Sequence, residues 1–307
     1  MTLVEKINNL KKEKDAIILV HNYQRPEIYE VADFIGDSLG LCQQAAKTDA
    51  KIILFCGVSF MAESAKILNP TKKVLVPYLD AGCAMADMVD AETLKAFKKQ
   101  HPDAAVVTYV NSTAAVKAVS DVCCTSSNAV EIVRKMPQQK IIFVPDKNLA
   151  AYVSDRVPEK QIIAWDGYCP IHHFVDRKYL EEAKITHPNA KIIAHPESRA
   201  EVLEIADHIT STTGMIEAAK HDPATEFFVL TECGMTERLK QALPNKKFHG
   251  LCNLCFDMKK NDLQAALKAL QTEQPEITVD PQIAAKAQKA FDKMFQLTSG
   301  TTPKNSQ

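Results

Sequence analysis

The sequence has no long apolar segment and no excess of either charge, and its first residues do not have the composition of a leader peptide. Its apolar runs stay well short of the roughly 20 residues that a membrane helix needs. Its 37 basic and 38 acidic residues leave a net charge of −1, which argues against a large charged surface for binding nucleic acid or a membrane. Residues 1–14 are rich in Lys and Glu, which is typical of an amphipathic helix and not of a signal peptide. We therefore expect a cytoplasmic protein with neither nucleic-acid nor membrane partners.

The composition that is present is that of a globular protein with many thiols. The 307 residues are 46% hydrophobic and 24% charged, which is enough to build two or three domains with cores of their own. Nine cysteines are unusual in a cytoplasmic chain of this size. Because disulfides are rare in that compartment, the cysteines indicate metal binding or catalysis.

An internal repeat organises the chain. Cys83, Cys169 and Cys255 are separated by 86 residues each. Three further series recur at intervals of 88 and 86 residues: Asp33, Asp121 and Asp207; Ser38, Ser126 and Thr212; Met61, Leu149 and Met235. A period that survives at independent positions predicts three copies of one unit. If the copies pack around a threefold axis, equivalent cysteines meet at one point.

Each copy alternates short β-branched runs with helical segments, which predicts an α/β fold with parallel sheets covered by helices. The strand-like runs begin at residues 17, 51, 73, 105, 140, 161, 191 and 226. The cysteine register divides the chain into repeats 1–85, 86–170 and 171–258. A C-terminal helical extension is predicted for 259–297 and a disordered tail for 298–307.

The three register cysteines suit a metal centre. Convergent thiolates from Cys83, Cys169 and Cys255 would hold a metal or cluster and leave one coordination position open for catalysis. Burial as small apolar side chains does not explain their shared place in the repeat. Zinc is the competitor, since Cys252 and Cys255 have zinc-ligand spacing. Four-cysteine zinc sites usually use two such pairs, and the sequence has only one, so we favour an iron–sulfur cluster. Cys252 is then a spare thiol that could pair with Cys255.

Polar residues make two further constellations. Each hydroxyl of the series Ser38, Ser126 and Thr212 precedes a helical stretch, where it could be an N-cap; together the three favour an anion site. A second set lies at or just past strand ends and suits acid–base chemistry: His21, Tyr23, Tyr109, Asn111, His195 and Glu197. His172 follows Cys169 by three residues and should lie near the centre. Four other histidines predict no site: His101, His187, His221 and His249.

At the level of motifs, the chain resembles the quinolinate synthase family from about residue 21 to residue 258. The motifs include His21-Asn-Tyr-Gln24, Gly36-Asp-Ser38, Ala81-Gly-Cys83, Tyr109-Val-Asn111, Gly167-Tyr-Cys169-Pro-x-His172 and His195-Pro-Glu197. The resemblance implies three similar three-layer α/β/α domains about a pseudo-threefold axis. It also implies condensation of iminosuccinate with dihydroxyacetone phosphate to quinolinate, phosphate and water, for NAD biosynthesis.

Residue roles follow from the same resemblance. The implied ligands of a 4Fe–4S cluster, whose free iron acts as a Lewis acid, are Cys83, Cys169 and Cys255. The implied catalytic residues are Tyr23, Tyr109, His195 and Glu197. The implied substrate-binding residues are His21, Ser38, Tyr109, Asn111, Ser126, His172, His195, Glu197, Ser211 and Thr212. An aspartate oxidase or dehydrogenase would supply the iminosuccinate.

Two other functions stay open at this point. One is a zinc-dependent lyase or aldolase that uses the same convergent site. The other is a non-catalytic cluster or phosphate sensor, against which stands the excess of His, Tyr and Glu at strand ends.

Overall fold

The computed structural model describes residues 1–251 and 253–299. Within these residues the chain forms three separate four-stranded sheets, all with parallel strands. The predicted α/β fold of three α/β/α domains is confirmed. None of the helices in this part of the chain combines the length and the apolarity that crossing a membrane requires.

The three sheets share one topology, in which the strands lie in the order second, first, third, fourth. The first sheet contains β1 (Ala16–His21), β2 (Phe34–Gly36), β3 (Ile52–Cys56) and β4 (Lys73–Leu75). The second contains β5 (Ala104–Tyr109), β6 (Val122–Cys124), β7 (Lys140–Val144) and β8 (Gln161–Ala164). The third contains β9 (Lys191–Ala194), β10 (His208–Ile209), β11 (Glu226–Leu230) and β12 (Lys247–Gly250). Strands β3 and β5 are buried along their whole length, as expected for strands covered on both faces.

Helices flank each sheet. Around the first lie α1 (Leu3–Glu13), α2 (Pro26–Tyr29), α3 (Ser38–Lys47) and α4 (Ser59–Leu68). Around the second lie α5 (Ala91–Gln100), α6 (Ala114–Lys117), α7 (Ala129–Lys135) and α8 (Lys147–Arg156). Around the third lie α9 (Pro170–His173), α10 (Arg177–Thr186), α11 (Ala200–Leu203), α12 (Thr212–His221) and α13 (Gly234–Ala242). The chain continues with α14 (Phe256–Lys259), α15 (Leu263–Thr272) and α16 (Pro281–Ser299).

The aspartate series has a structural role that repeats in all three domains. In the first domain the Asp33 carboxylate accepts the backbone N–H of Ile18 at 2.7 Å, and in the third Asp207 accepts that of Ile192 at 2.8 Å. Asp121 does the same for Val106 at 2.7 Å. Each aspartate therefore ties the short edge strand that follows it to the central strand of its own sheet. Each aspartate lies four residues beyond a four-residue helix and directly before the edge strand.

The C-terminal helices complete two of the domains. α15 packs on α1, and its buried Leu270 joins Ile7 in the core of the first domain. α16 packs against the second domain through Phe291 and Met294. This last helix includes Thr298 and Ser299, which the sequence assigned to the tail. Residues 300–307 and Cys252, with its predicted pairing to Cys255, lie outside the described residues.

Candidate active site

The three sheets point the carboxyl ends of their central strands at one cavity of about 210 Å³. His21 is the last residue of β1, Tyr109 is the last residue of β5, and His195 directly follows β9; all three line the cavity. In open parallel sheets, ligands bind at the carboxyl ends of the strands, at the point where the strand order reverses. The cavity therefore lies where three such edges meet.

The three register cysteines line this cavity, and all three are free thiols. The same backbone bond fixes the loop before each one. The carbonyl two residues before the cysteine accepts the N–H of the third residue after the domain's third strand. These bonds join Ser59 to Ala81 at 2.7 Å, Lys147 to Gly167 at 2.8 Å and Cys233 to Asn253 at 2.9 Å. The cysteine carbonyl then accepts the N–H four residues later in every copy, at 2.8–3.2 Å. The repeat thus extends to the local geometry of the thiols.

Burial opposes ionisation of the three thiols. It raises the pKa of Cys83 to about 12, with the neighbouring Cys255 contributing in the same direction. Burial is the main cause that raises the pKa of Cys169 well above its usual value, and the nearby Glu197 and Cys83 act in the same direction. Burial also raises the pKa of Cys255. Thiolates at these positions therefore need a cationic centre, since only a bound cation offsets both the desolvation and their mutual repulsion.

Buried carboxylates support two of the three cysteine loops. Asp146 accepts the N–H of Cys169 at 3.1 Å, and Glu232 accepts the N–H of Cys255 at 3.2 Å. Both carboxylates belong to one register position, 86 residues apart, and the first domain has Val58 there. The sequence analysis missed Asp146 and Glu232 as supports, although the repeat interval itself was a signal that could have found them.

His21 and His195 are held in the same way by the residue two positions later. The backbone N–H of Tyr23 donates to His21 Nδ1 at 3.2 Å, and that of Glu197 donates to His195 Nδ1 at 3.4 Å. Because Nδ1 accepts, the proton of each neutral ring is on Nε2. Burial lowers the pKa of both histidines to about 3, and the neighbouring His195 contributes to the lowering at His21. At neutral pH the two rings are therefore uncharged N–H donors.

Glu197 is the centre of the anionic part of the cavity. Its Oε2 lies 2.7 Å from His172 Nδ1 and 3.6 Å from His195 Nδ1, and the two imidazole rings stack with centroids 4.7 Å apart. Burial opposes the charge of Glu197, but His195, His172 and a hydrogen bond from Tyr109 lower its pKa to about 2. Glu197 is therefore a carboxylate that can accept hydrogen bonds and protons.

The two tyrosines of the cavity keep their protons. Burial raises the pKa of both Tyr23 and Tyr109 well above 10, and the negative charge of Glu197 adds to this effect. The Tyr23 hydroxyl hydrogen-bonds to Thr231 and lies 3.4 Å from His172 Nε2. Tyr23 and Tyr109 can thus donate a proton or a hydrogen bond, and neither is a phenolate base.

Of the remaining predicted residues, four line the cavity wall and one lies behind it. Ser38, Asn111, Ser126 and Thr212 line the cavity, and the buried Asn111 Oδ1 has no hydrogen-bond partner among the described residues. The N-cap interpretation of the hydroxyl series is wrong by one to two residues. The helix N-caps are Asp37, Asn128 and Ser211.

Ser211 is the one predicted substrate-binding residue that is absent from the cavity wall. Its hydroxyl donates to Asp37 Oδ2 at 2.9 Å, and it caps α12, on the side of a separate groove between the domains. Asp37 lines both the cavity and this groove. The sequence analysis missed it because it looked for the cap at the hydroxyl next to it.

Comparison with known proteins decides the family. Residues 5–296 match the family described as quinolinate synthetase A protein. The chain belongs to that family. The chain is 52% identical to quinolinate synthase of Methanosarcina barkeri, covering 95% of this chain and 97% of that one. It is 51% identical to quinolinate synthase of Thermodesulfovibrio yellowstonii, covering 96% and 98%. These quinolinate synthases are enzymes, and this chain is an enzyme of their family.

The quinolinate synthetase A fold presents a donor set that fits a three-cysteine cluster. Three half-buried thiols come from three domains, and a fourth cysteine is absent from the cavity wall as far as the structure describes it. A second, smaller donor set overlaps it: Cys169, His172 and Glu197 have ligand atoms within 4.8 Å of one another. The first set favours a cluster and the second would suit a single ion.

Proposed function

We propose that this protein is a quinolinate synthase that condenses iminosuccinate with dihydroxyacetone phosphate, releasing phosphate and water, in NAD biosynthesis. The observation that carries the proposal is the meeting of Cys83, Cys169 and Cys255 at a cavity whose walls also hold neutral histidines, a carboxylate and two protonated tyrosines. A 4Fe–4S cluster held by these cysteines would supply an open iron that acts as a Lewis acid toward a substrate oxygen. The repeat boundaries, a cytoplasmic location and supply of iminosuccinate by an aspartate oxidase or dehydrogenase remain parts of this proposal.

Different side chains bind different groups of the two anionic substrates. His21 and His195 offer uncharged N–H donors, which suit substrate carboxylate or carbonyl oxygens that gain charge during condensation. The free Asn111 Oδ1 accepts a substrate N–H or O–H. Ser38 and Thr212 are the first residues of ten-residue helices, where free N–H groups and the helix dipole favour a phosphate.

Proton transfers fall to the groups whose protonation states the cavity fixes. Glu197 is an anion and takes protons, for example from a carbon next to a carbonyl. Tyr23 is a protonated hydroxyl and supplies a proton to a leaving phosphate or water. His172 lies between them and contacts both, so it can relay a proton from the carboxylate to the tyrosine.

The test is anaerobic purification with iron, sulfide and zinc analysis, followed by a quinolinate assay with iminosuccinate generated in place. The expected protein is brown, carries about four irons and four sulfides per chain, and loses them in each of Cys83→Ser, Cys169→Ser and Cys255→Ser. A brown wild-type protein that forms no quinolinate from the two substrates would refute the reaction.

A zinc-dependent lyase or aldolase is the second candidate, because Cys169, His172 and Glu197 alone could bind an ion. The same variants separate the two functions. Zinc in this set would be lost in Cys169→Ser and kept in Cys83→Ser and Cys255→Ser. A cluster would be lost in all three. A non-catalytic sensor has no such observation in its favour, and membership of an enzyme family weighs against it.

A further inference from the structure

A second group of potential metal ligands lies on the third domain, away from the cavity. His187 Nδ1 lies 3.3 Å from Glu226 Oε1, and His249 Nε2 lies 2.8 Å from the same oxygen. The two imidazole rings stack with centroids 3.8 Å apart. The three ligand atoms all lie within 4.8 Å of one another.

Three different elements bring these side chains together. His187 is the C-cap of α10, Glu226 is the first residue of β11, and His249 is in β12. His249 pairs with Phe228, two residues after Glu226, so His249 and Glu226 project from the same face of the sheet. The ring of His187 lies over that face, 6.3 Å from the ring of Phe228. The cluster is thus fixed by the fold of the domain and not by one flexible loop.

The donors match a divalent metal in number, type and spacing. Two histidines and one carboxylate form a known zinc donor set, with a fourth position left for water. With zinc–ligand bonds of about 2.0–2.1 Å, the edges of the tetrahedron are roughly 3.3 Å, close to the spacings of the two histidine nitrogens from Glu226 Oε1. The C-terminal end of α10 adds the negative end of a helix dipole. Between 25% and 31% of each side chain is exposed, so an ion can reach it.

We propose that His187, Glu226 and His249 form a binding site for a zinc-like divalent cation. A bound ion would tie the end of α10 to the two strands of the outer half of the sheet. Because Glu226 begins β11 and the cavity lies beyond its last residue, the site is about 13 Å or more from the catalytic edge, at a strand rise near 3.3 Å per residue. The site is therefore independent of the proposed reaction.

The third domain contains a matched control. His208 Nε2 lies 2.7 Å from Asp222 Oδ2, with a similar exposure of 30% for the histidine. This pair offers one imidazole and one carboxylate, without a second histidine. It should therefore not retain zinc after the protein is separated from free ions.

The experiment uses the full-length, cluster-loaded protein, passed over a chelating resin, mixed with two equivalents of zinc sulfate and desalted. We expect one retained zinc per chain, with a first shell of nitrogen and oxygen at about 2.0–2.2 Å in zinc-edge X-ray absorption. His249→Ala should lower the affinity for zinc at least about tenfold, whereas His208→Ala should leave it unchanged. His187→Asn is the second variant, and unchanged iron content with a normal melting curve establishes that each variant is folded.

Three outcomes would overturn the site. One is a wild-type protein that retains no zinc. Another is a zinc shell of sulfur near 2.3 Å, which would place the ion on cysteines. The third is a retained zinc that survives both His249→Ala and His187→Asn in folded protein.

Discussion

Replacement of Glu232 by Gln tests whether a buried carboxylate holds the Cys255 loop. The Glu232 side chain is fully buried and accepts the N–H of Cys255 at 3.2 Å, the N–H of Gly234 at 2.7 Å and Lys259 Nζ at 3.0 Å. Gln keeps the shape but removes the charge, so Lys259 loses its ionic partner and both amides lose a charge-assisted bond. Glu232 is thus a positioning residue that acts through Cys255.

The expected cost follows from the burial of the pair. Removing one member of a buried ion pair costs about 3–5 kcal/mol, and we take the lower end because Lys259 is 17% exposed. At 1.4 kcal/mol per factor of ten, about 3 kcal/mol makes opening of the Cys255 loop roughly a hundredfold more frequent. Hydrogen exchange of the Cys255 amide measures that opening directly, with or without a cluster. Release of iron to an anaerobic chelator measures its consequence.

Two companion variants give the experiment its controls. Glu237→Gln removes an exposed carboxylate on α13, the helix that follows Glu232; this carboxylate pairs with Lys240 at 2.8 Å, and its loss should change neither rate. Adding Lys259→Met to Glu232→Gln removes the unpaired charge and should recover part of the lost protection. Exchange of the Cys255 amide at the wild-type rate in Glu232→Gln would refute the reasoning, as would a double variant no better protected than the single one.

Three further predictions concern the scaffold and the cavity. Asp207→Ala should destabilise the protein by about 1.5–3 kcal/mol in denaturant unfolding, because the N–H of Ile192 loses a charged acceptor. Asp207→Asn keeps an acceptor for this N–H but loses the charge of that bond and the ion pair with Lys191, so its cost should stay below that of Asp207→Ala; equal costs would contradict this role. Burial lowers the pKa of His195 from 6.5 to about 3, so unfolding takes up a proton in that range and stability should fall as pH drops below 6.5. His195→Gln should show a shallower fall in melting temperature, and an unchanged slope would contradict a neutral His195. Tyr23→Phe should lower quinolinate formation about 10²–10⁴-fold at unchanged iron content, and near-normal turnover would exclude Tyr23 as the proton donor.

The sequence predicted those features that the repeat expresses in every copy. Equal spacing of Cys83, Cys169 and Cys255 indicated that the thiols converge, and all three line one cavity. The polar residues at strand ends were predictable for a related reason, because parallel strands end at a common edge. His21 and His195 therefore meet there although 174 residues separate them.

Other features were not predictable, because the sequence offers neighbouring residues for one role, very short strands, or partners that are distant along the chain. Asp37 and Ser38 are both good N-caps, and only the exit of the chain from β2 decides that Asp37 is the cap. Edge strands of two or three residues, such as β10, are too short to show a period of two. His187 and His249 were assigned to no site, because their shared partner Glu226 is distant from both in sequence.

The threefold repeat and the asymmetric site have separate physical sources. The bonds that place the cysteine loops are made by backbone groups, which every residue carries, so they persist when side chains diverge. Side chains at one register position are then free to differ, and Val58, Asp146 and Glu232 show that difference. A reaction between two unlike substrates needs unlike walls around one centre. Backbone symmetry therefore fixes the position of the thiols, and divergence of the side chains gives each domain its own part of the chemistry.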